Sequence, residues 1–136
     1  MSRSVTGGNR HQGSKWITPK RRMAIYLRDR YVCLWCGCVV ATGAEIREGS
    51  TLSLATLDHF LGRLAKGNHA TSNLFTACMA CNAERGDMSA LGYATLIAER
   101  RAESHRGSVD VSTYRHETLC RIITQLDAPV EGQFRL

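Results

Sequence analysis

The sequence predicts a small α+β domain with flanking helices and one structural zinc site, and three observations support this fold class. The chain has 136 residues, the size of one ordinary domain. Some short segments alternate apolar and polar residues like strands, whereas longer ones repeat apolar residues at helical spacing. Two Cys-x2-Cys pairs lie far apart in the sequence. Hydrophobic residues at 43% and charged residues at 22% are typical of globular proteins, which excludes a disordered or fibrous chain.

The first half of the chain predicts one helix and the beginning of a sheet. The helix begins at Pro19, with Thr18 as its N-cap, and runs to about residue 30. Its expected apolar face consists of Met23, Ala24, Tyr26 and Leu27. Residues 51–58 alternate apolar and small polar side chains and predict a strand. A loop over residues 62–72 leads to a second short strand at 74–77.

Three further helices complete the predicted fold. One begins at Cys78 and ends near Gly86, the next has Ser89 as its cap and runs to about Ser104, and the last opens at Ser112. The expected inward-facing side chains are Tyr93, Leu96 and Ile97, followed in the last helix by Leu119, Ile122, Ile123 and Leu126. The spacing of the last set is i, i+3, i+4, i+7, which favours core packing over a partner-binding surface.

Positive charge is concentrated at the N-terminal end. The net charge is +6, and residues 1–30 contain eight Lys or Arg against a single Asp. We predict that residues 1–17, rich in Gly, Ser and Arg, form a basic flexible arm. A polyanionic partner is favoured, with a solubilising tail as the alternative. Because no apolar run suits a membrane span or a signal peptide, we expect a soluble, cytoplasmic protein.

Four of the six cysteines have the spacing of a zinc site. They are Cys33, Cys36, Cys78 and Cys81. Two residues between paired thiols form a turn that lets both sulfurs reach one ion. Since four thiolates leave no open coordination position, we expect this zinc to be structural. Cys38 and Cys120 lie outside the pairs and are expected to be small apolar side chains, with Cys38 the more plausible substitute ligand.

Polar residues between and after the cysteine pairs form a recognisable motif. They are Leu57-Asp58-His59, Asn73-Leu74 and Asn82-Ala83-Glu84-Arg85-Gly86-Asp87. In this order they resemble the HNH endonuclease family, above all its small phage and bacterial members with a four-cysteine zinc. The resemblance covers about half of the chain and implies a ββα-metal (His-Me finger) core. We therefore expect a nuclease domain at 18–104 and a C-terminal helical extension at 105–136 that packs on it.

The resemblance implies a metal-dependent DNA endonuclease that leaves 5′-phosphate and 3′-hydroxyl ends. His59 is the expected general base, because a histidine can take a proton from water near neutral pH. Asn73 is expected to hold its imidazole. Asp58 and Asn82 are expected to offer oxygens to Mg2+, with Mn2+ as a substitute. By analogy, a monomer that assists phage DNA packaging beside terminase subunits is expected.

Basic side chains are expected to contact DNA. Arg85 would contact a phosphate flanking the cut, and the other expected contacts are Lys20, Arg21, Arg22, Arg28, Lys66 and His69. For Lys66 and His69, a solvated loop without DNA contact is an equal alternative. The second interpretation is a non-catalytic, zinc-containing DNA-binding or packaging accessory protein with the same fold. A third is a thiol redox protein, which requires exposed cysteine pairs without zinc.

Overall fold

The computed structural model describes residues 16–62, 68–105 and 110–130. Most of the predicted arm and the predicted DNA contact Lys66 lie outside these ranges. Ile17 is only 5% exposed and belongs to the hydrophobic core. The described part of the predicted flexible arm, Trp16 and Ile17, is therefore packed against the domain.

Helix α1 spans Pro19–Arg28 and has the predicted cap, because the Thr18 hydroxyl accepts a hydrogen bond from the Arg21 amide at 3.1 Å. Its buried face differs from the predicted one and consists of Ala24, Ile25 and Tyr26. Met23 and Leu27 are 38% and 51% exposed. The helix thus turns its Ile25 side inward, and the predicted face was wrong at its two outer positions.

A three-stranded sheet in the order β1-β2-β3 forms the centre of the domain. Strand β1 is Val40–Ala41, β2 is Ser53–His59 and β3 is Leu74–Cys78. Strands β1 and β2 are parallel, whereas β2 and β3 are antiparallel. The two longer strands confirm the predicted pair with small shifts at their ends. Strand β1 has only two residues, too few to show an alternation in the sequence.

Three helices follow the sheet: α2 at Met79–Arg85, α3 at Ala90–Ser104 and α4 at Val111–Asp127. Ser89 caps α3 as predicted. Asp110 caps α4 by accepting from the Thr113 amide at 2.9 Å, two residues before the predicted Ser112. Aspartate and serine are both good N-caps, and the negative charge of an aspartate also interacts favourably with the positive N-terminal end of the helix dipole. Across the described ranges, no helix has the length and apolarity that crossing a membrane requires.

The core joins all of these elements around one tryptophan. The Trp35 ring is 2% exposed and meets Phe75 and Tyr93 edge-on, at centroid distances of 5.5 and 4.9 Å. Helix α4 contributes Ile122 and Leu126, as its stripe predicts, whereas Ile123 is 45% exposed. The result is a small α+β domain in which the β2-β3 hairpin leads directly into α2.

Candidate zinc centre and catalytic site

The four predicted ligand cysteines meet at one point of the fold. Their sulfur atoms all lie within 4.8 Å of one another. The Sγ atoms of Cys36 and Cys78, one from each pair, are 4.0 Å apart. In a tetrahedral site with ordinary Zn–S bonds, sulfurs are separated by about 3.8 Å. The cluster therefore fits a zinc ion with little adjustment, and its members are Cys33, Cys36, Cys78 and Cys81.

Each cysteine pair is closed by the same backbone turn. The Cys36 amide lies 3.5 Å from Cys33 Sγ, and the Cys81 amide lies 3.4 Å from Cys78 Sγ. Hydrogen bonds from Cys36 and Cys81 lower the pKa of the Cys33 thiol to about 4. These donors are the thiols of two further cluster members, and the same pairing raises the pKa of Cys81, so all four thiols would have to lose their protons for zinc to bind.

The two remaining cysteines stay outside the cluster. Burial raises the pKa of the Cys38 thiol to about 12, which favours the neutral form. Its carbonyl accepts from the Cys33 amide at 2.8 Å, so its backbone rather than its sulfur supports the turn. Cys120 is exposed on α4, with its Sγ 3.4 Å from His116 Nε2.

Asp58, at the end of β2, faces the interior. Its Oδ2 accepts from the Trp35 indole at 2.8 Å. Its Oδ1 accepts from the His59 amide at 2.8 Å and lies 3.1 Å from Arg85 Nη1. Burial raises the pKa of this carboxyl, while the Arg85 charge and the Trp35 hydrogen bond act in the opposite direction. The carboxylate is therefore held in place from three sides.

Arg85 lies beneath the site instead of on its surface. It is 3% exposed and donates to the carbonyls of Met88 at 2.9 Å, Phe60 at 3.0 Å and His59. Together with the Asp58 pair, these contacts occupy the guanidinium. This placement differs from the expected contact with a DNA phosphate. Its physical reason is that the last turn of α2 packs against the end of β2, where strand carbonyls lack sheet partners.

Asn82, directly after Cys81, is turned back onto β2. Its Nδ2 donates to Thr56 Oγ1 at 2.9 Å and to the Leu57 carbonyl at 3.0 Å. Both amide hydrogens are thus directed at β2, and the amide oxygen is the atom left to act as a ligand. This arrangement brings Asn82 beside Leu57, the residue that precedes Asp58.

Asn73 has a different role from the expected one. Its Oδ1 accepts from the Leu61 amide at 2.8 Å, while its Nδ2 donates to the carbonyls of Leu61 at 3.1 Å and Asn68 at 2.7 Å. The side chain therefore fastens the backbone on both sides of residues 62–67. We conclude that Asn73 fixes the loop beyond β2 and not the His59 ring.

The His59 ring instead meets a second histidine. His59 Nε2 lies 2.9 Å from His69 Nδ1. The Trp16 ring lies against both, with centroid distances of 5.5 Å to His59 and 4.5 Å to His69. His69 was expected at DNA, and nothing in the sequence indicates this pairing, because it depends on how the loop closes.

The basic residues of α1 are divided between the surface and the interior. The Arg28 side chain is 2% exposed, and it donates to the Thr71 carbonyl at 2.9 Å and the Leu74 carbonyl at 2.7 Å. Arg28 therefore supports the loop and is not placed to meet DNA. Arg21 Nη2 reaches the His69 carbonyl at 3.2 Å, and Lys20 is exposed. Arg22 lies 5.6 Å from the Trp16 ring centre.

Comparison with known proteins identified no relative of the chain. A scan against models of protein families, a search of curated proteins and a search of solved structures each found no match for the chain. The structure brings the four cysteines together and places Asp58, His59 and Asn82 around the end of β2.

Proposed function

We propose that the chain is an HNH-type endonuclease that hydrolyses phosphodiester bonds in DNA. The observation that carries this proposal is the unit formed by β2, β3 and α2. Its first strand ends with Asp58 and His59, and its helix returns Asn82 to the same strand through a 3.0 Å hydrogen bond to Leu57. A general base and two oxygen-bearing side chains then surround one strand end, which is the arrangement that a ββα-metal nuclease needs.

In the proposed reaction His59 removes a proton from water, and the resulting hydroxide attacks the phosphorus. The oxygens of Asp58 and Asn82 would hold Mg2+ or Mn2+, since a carboxylate and an amide oxygen are suitable donors for hard cations. When bound, the cation would neutralise charge on the phosphate and on the departing 3′ oxygen. The products are a 5′-phosphate and a 3′-hydroxyl.

The proposed DNA surface lies beside His59. Lys20 is exposed on α1, and Arg22 stands next to the Trp16 ring that covers the histidines. Such side chains make sequence-independent phosphate contacts, so binding should weaken steeply with salt. A function beside phage terminase subunits stays a prediction from the resemblance alone.

One observation favours a second candidate, a non-catalytic zinc-containing DNA-binding protein. Asp58 is 7% exposed and already paired with Arg85, so a cation would have to share the carboxylate with a guanidinium. In this alternative the fold and the basic surface persist while cleavage is absent.

The test is cleavage of supercoiled plasmid by zinc-loaded protein, with Mg2+, Mn2+ or neither added. His59→Ala should lower the rate by at least about 10²-fold, the usual scale for a general base. His116→Ala, the same chemical change on an exposed face of α4, is the matched control and should cleave like wild type. Both variants should keep the wild-type zinc content by elemental analysis.

Two outcomes would contradict the proposal. Wild type that binds plasmid without cutting it under either metal favours the accessory protein. His59→Ala that cuts like wild type excludes His59 as the base. Purified protein without stoichiometric zinc would instead support the thiol redox interpretation.

A further inference from the structure

We propose that His69 is a positioning residue that orients the His59 imidazole and selects which of its nitrogens accepts the proton. This inference rests on the proposed function, and it assigns to His69 the task that the family resemblance implies for Asn73. The contact that supports it is the 2.9 Å approach of His59 Nε2 and His69 Nδ1. It is a direct ring-to-ring hydrogen bond between a strand end and a loop.

The loop that carries His69 is fastened on both sides of that residue. Arg21 donates to the His69 carbonyl itself at 3.2 Å. Before it, the Asn68 carbonyl accepts from Asn73 at 2.7 Å, and after it, the Thr71 carbonyl accepts from Arg28 at 2.9 Å. Three side chains thus fix the backbone within two residues of His69. A ring held by such a backbone is a fixed partner for His59.

Trp16 restricts the two rings further. Its plane lies 30° from that of His59 and 43° from that of His69. An indole against both imidazoles opposes their rotation, because rotation would lose contact area on two rings at once. The geometry is therefore that of a held pair of histidines, with His59 at the strand end next to Asp58.

The hydrogen bond couples the tautomers of the two histidines, and we assign the donor to His59, because a base that receives a proton needs a lone pair that is not engaged with His69. When His59 donates Nε2–H to the lone pair of His69 Nδ1, His59 Nδ1 carries the other lone pair. In the proposed step, a water proton passes to His59 Nδ1 and the hydroxide oxygen forms the new bond to phosphorus, while the bond from phosphorus to the 3′ oxygen breaks and that oxygen takes a proton from a second water. The Nε2–H stays on His59 and continues to donate to His69. A partner of this kind holds the ring through the whole transfer.

Three variants test the assignment in the zinc-loaded protein. His69→Ala removes the acceptor. His69→Asn retains one, since the Asn Oδ1 occupies nearly the position of the histidine Nδ1. His116→Ala again controls for loss of an imidazole. The first measurement is the 15N spectrum of the His59 ring, which reports the tautomer directly. Wild type, His69→Asn and His116→Ala should show protonated Nε2, and His69→Ala should show a tautomer mixture.

The second measurement is single-turnover plasmid cleavage over a range of protein concentrations. His69→Ala should lower the maximal rate by about 10-fold or more, with half-saturation within twofold of wild type, because orientation acts on the chemical step. His69→Asn should recover most of that loss. A DNA-contacting His69 would instead raise half-saturation and leave the maximal rate unchanged, which would overturn the proposal.

The two measurements separate this inference from the function on which it rests. An unchanged His59 spectrum in His69→Ala overturns the positioning role, whatever the cleavage rates are. A wild type with protonated Nε2 that cuts no DNA contradicts the nuclease proposal, while the altered spectrum of His69→Ala would still support control of the His59 tautomer by His69.

Discussion

Replacing Arg85 by alanine should lower the free energy of unfolding by about 4–6 kcal/mol, whereas a surface arginine that contacts DNA would cost almost nothing. The side chain is 3% exposed and lies 3.1 Å from the Asp58 carboxylate. It also donates to the carbonyls of His59, Phe60 and Met88. The variant therefore tests whether this arginine belongs to the interior.

The magnitude follows from what the truncation leaves behind. Removing one partner of a buried ion pair typically costs about 3–5 kcal/mol, because the other charge stays buried without compensation. Each backbone carbonyl that loses its Arg85 donor adds about 1 kcal/mol or more to this cost. The added cost is smaller where water enters the new cavity and replaces the donor. Arg85→Lys keeps the charge but loses the planar fork, so it should cost a smaller amount, about 1–3 kcal/mol.

The Asp58 carboxyl gives the variant a characteristic pH dependence. Burial already raises the pKa of Asp58, and removing Arg85 removes the charge that opposes this rise. A raised pKa in the folded state means that stability is greatest at low pH and falls as pH rises through that pKa. The loss caused by Arg85→Ala should thus grow as pH rises above the ordinary aspartate pKa of about 4, and Asp58→Asn in the same chain should abolish the growth.

Urea unfolding followed by tryptophan fluorescence and far-UV circular dichroism measures these differences, with zinc content checked for every variant. The slope with urea must stay constant for the comparison to hold. A loss below about 1 kcal/mol for Arg85→Ala at pH 8, with zinc retained, would refute the buried ion pair. It would return Arg85 to the surface, where a phosphate contact becomes the better interpretation.

Two further predictions concern the metal and the sheet. Cys78→Ser, or zinc removal by a chelator, should abolish cooperative unfolding, because the free energy of metal binding at a structural site contributes to the free energy of folding. Cys120→Ser is the control. A Cys78→Ser variant that folds without zinc would contradict the expectation. Thr76 is fully buried, and its hydroxyl has no hydrogen-bond partner among the described residues, so Thr76→Val should raise the free energy of unfolding by about 1 kcal/mol. Thr56→Val should lower it, since that hydroxyl donates to the Ala77 carbonyl at 2.8 Å; equal effects of the two changes in urea unfolding would disprove the reasoning.

The sequence was most informative where the signal is local. The starts of two helices could be predicted from their N-caps, which are Thr18 before Pro19 and Ser89 before a segment with helical spacing of apolar residues. Each cap needs contacts only with the first turn of its own helix. The two cysteine pairs are equally local, since Cys-x2-Cys spacing by itself brings two sulfurs to one ion. Zinc chemistry then joins the two pairs without any knowledge of the sheet.

Contacts that depend on how a loop closes could not be predicted from local sequence signals. Asn73 and His69 lie in or next to the loop between β2 and β3, and which of them reaches His59 depends on how many residues the loop places on each side. Arg85 presents the same difficulty, because its helical position alone leaves open whether it faces solvent or the strand end. Burial decides this, and burial depends on the packing of α2 against β2.

The zinc centre and the candidate catalytic site are mechanically coupled, because each cysteine pair contributes one side chain to the site. Trp35 stands between Cys33 and Cys36 and donates to Asp58 at 2.8 Å. Asn82 follows Cys81 and donates to the Leu57 carbonyl. Opening either turn would therefore release a contact to β2 next to His59. A zinc ion held by the four cysteines would therefore set the geometry of the proposed chemistry as well as stabilise the fold, and its removal should reduce activity even in molecules whose sheet survives.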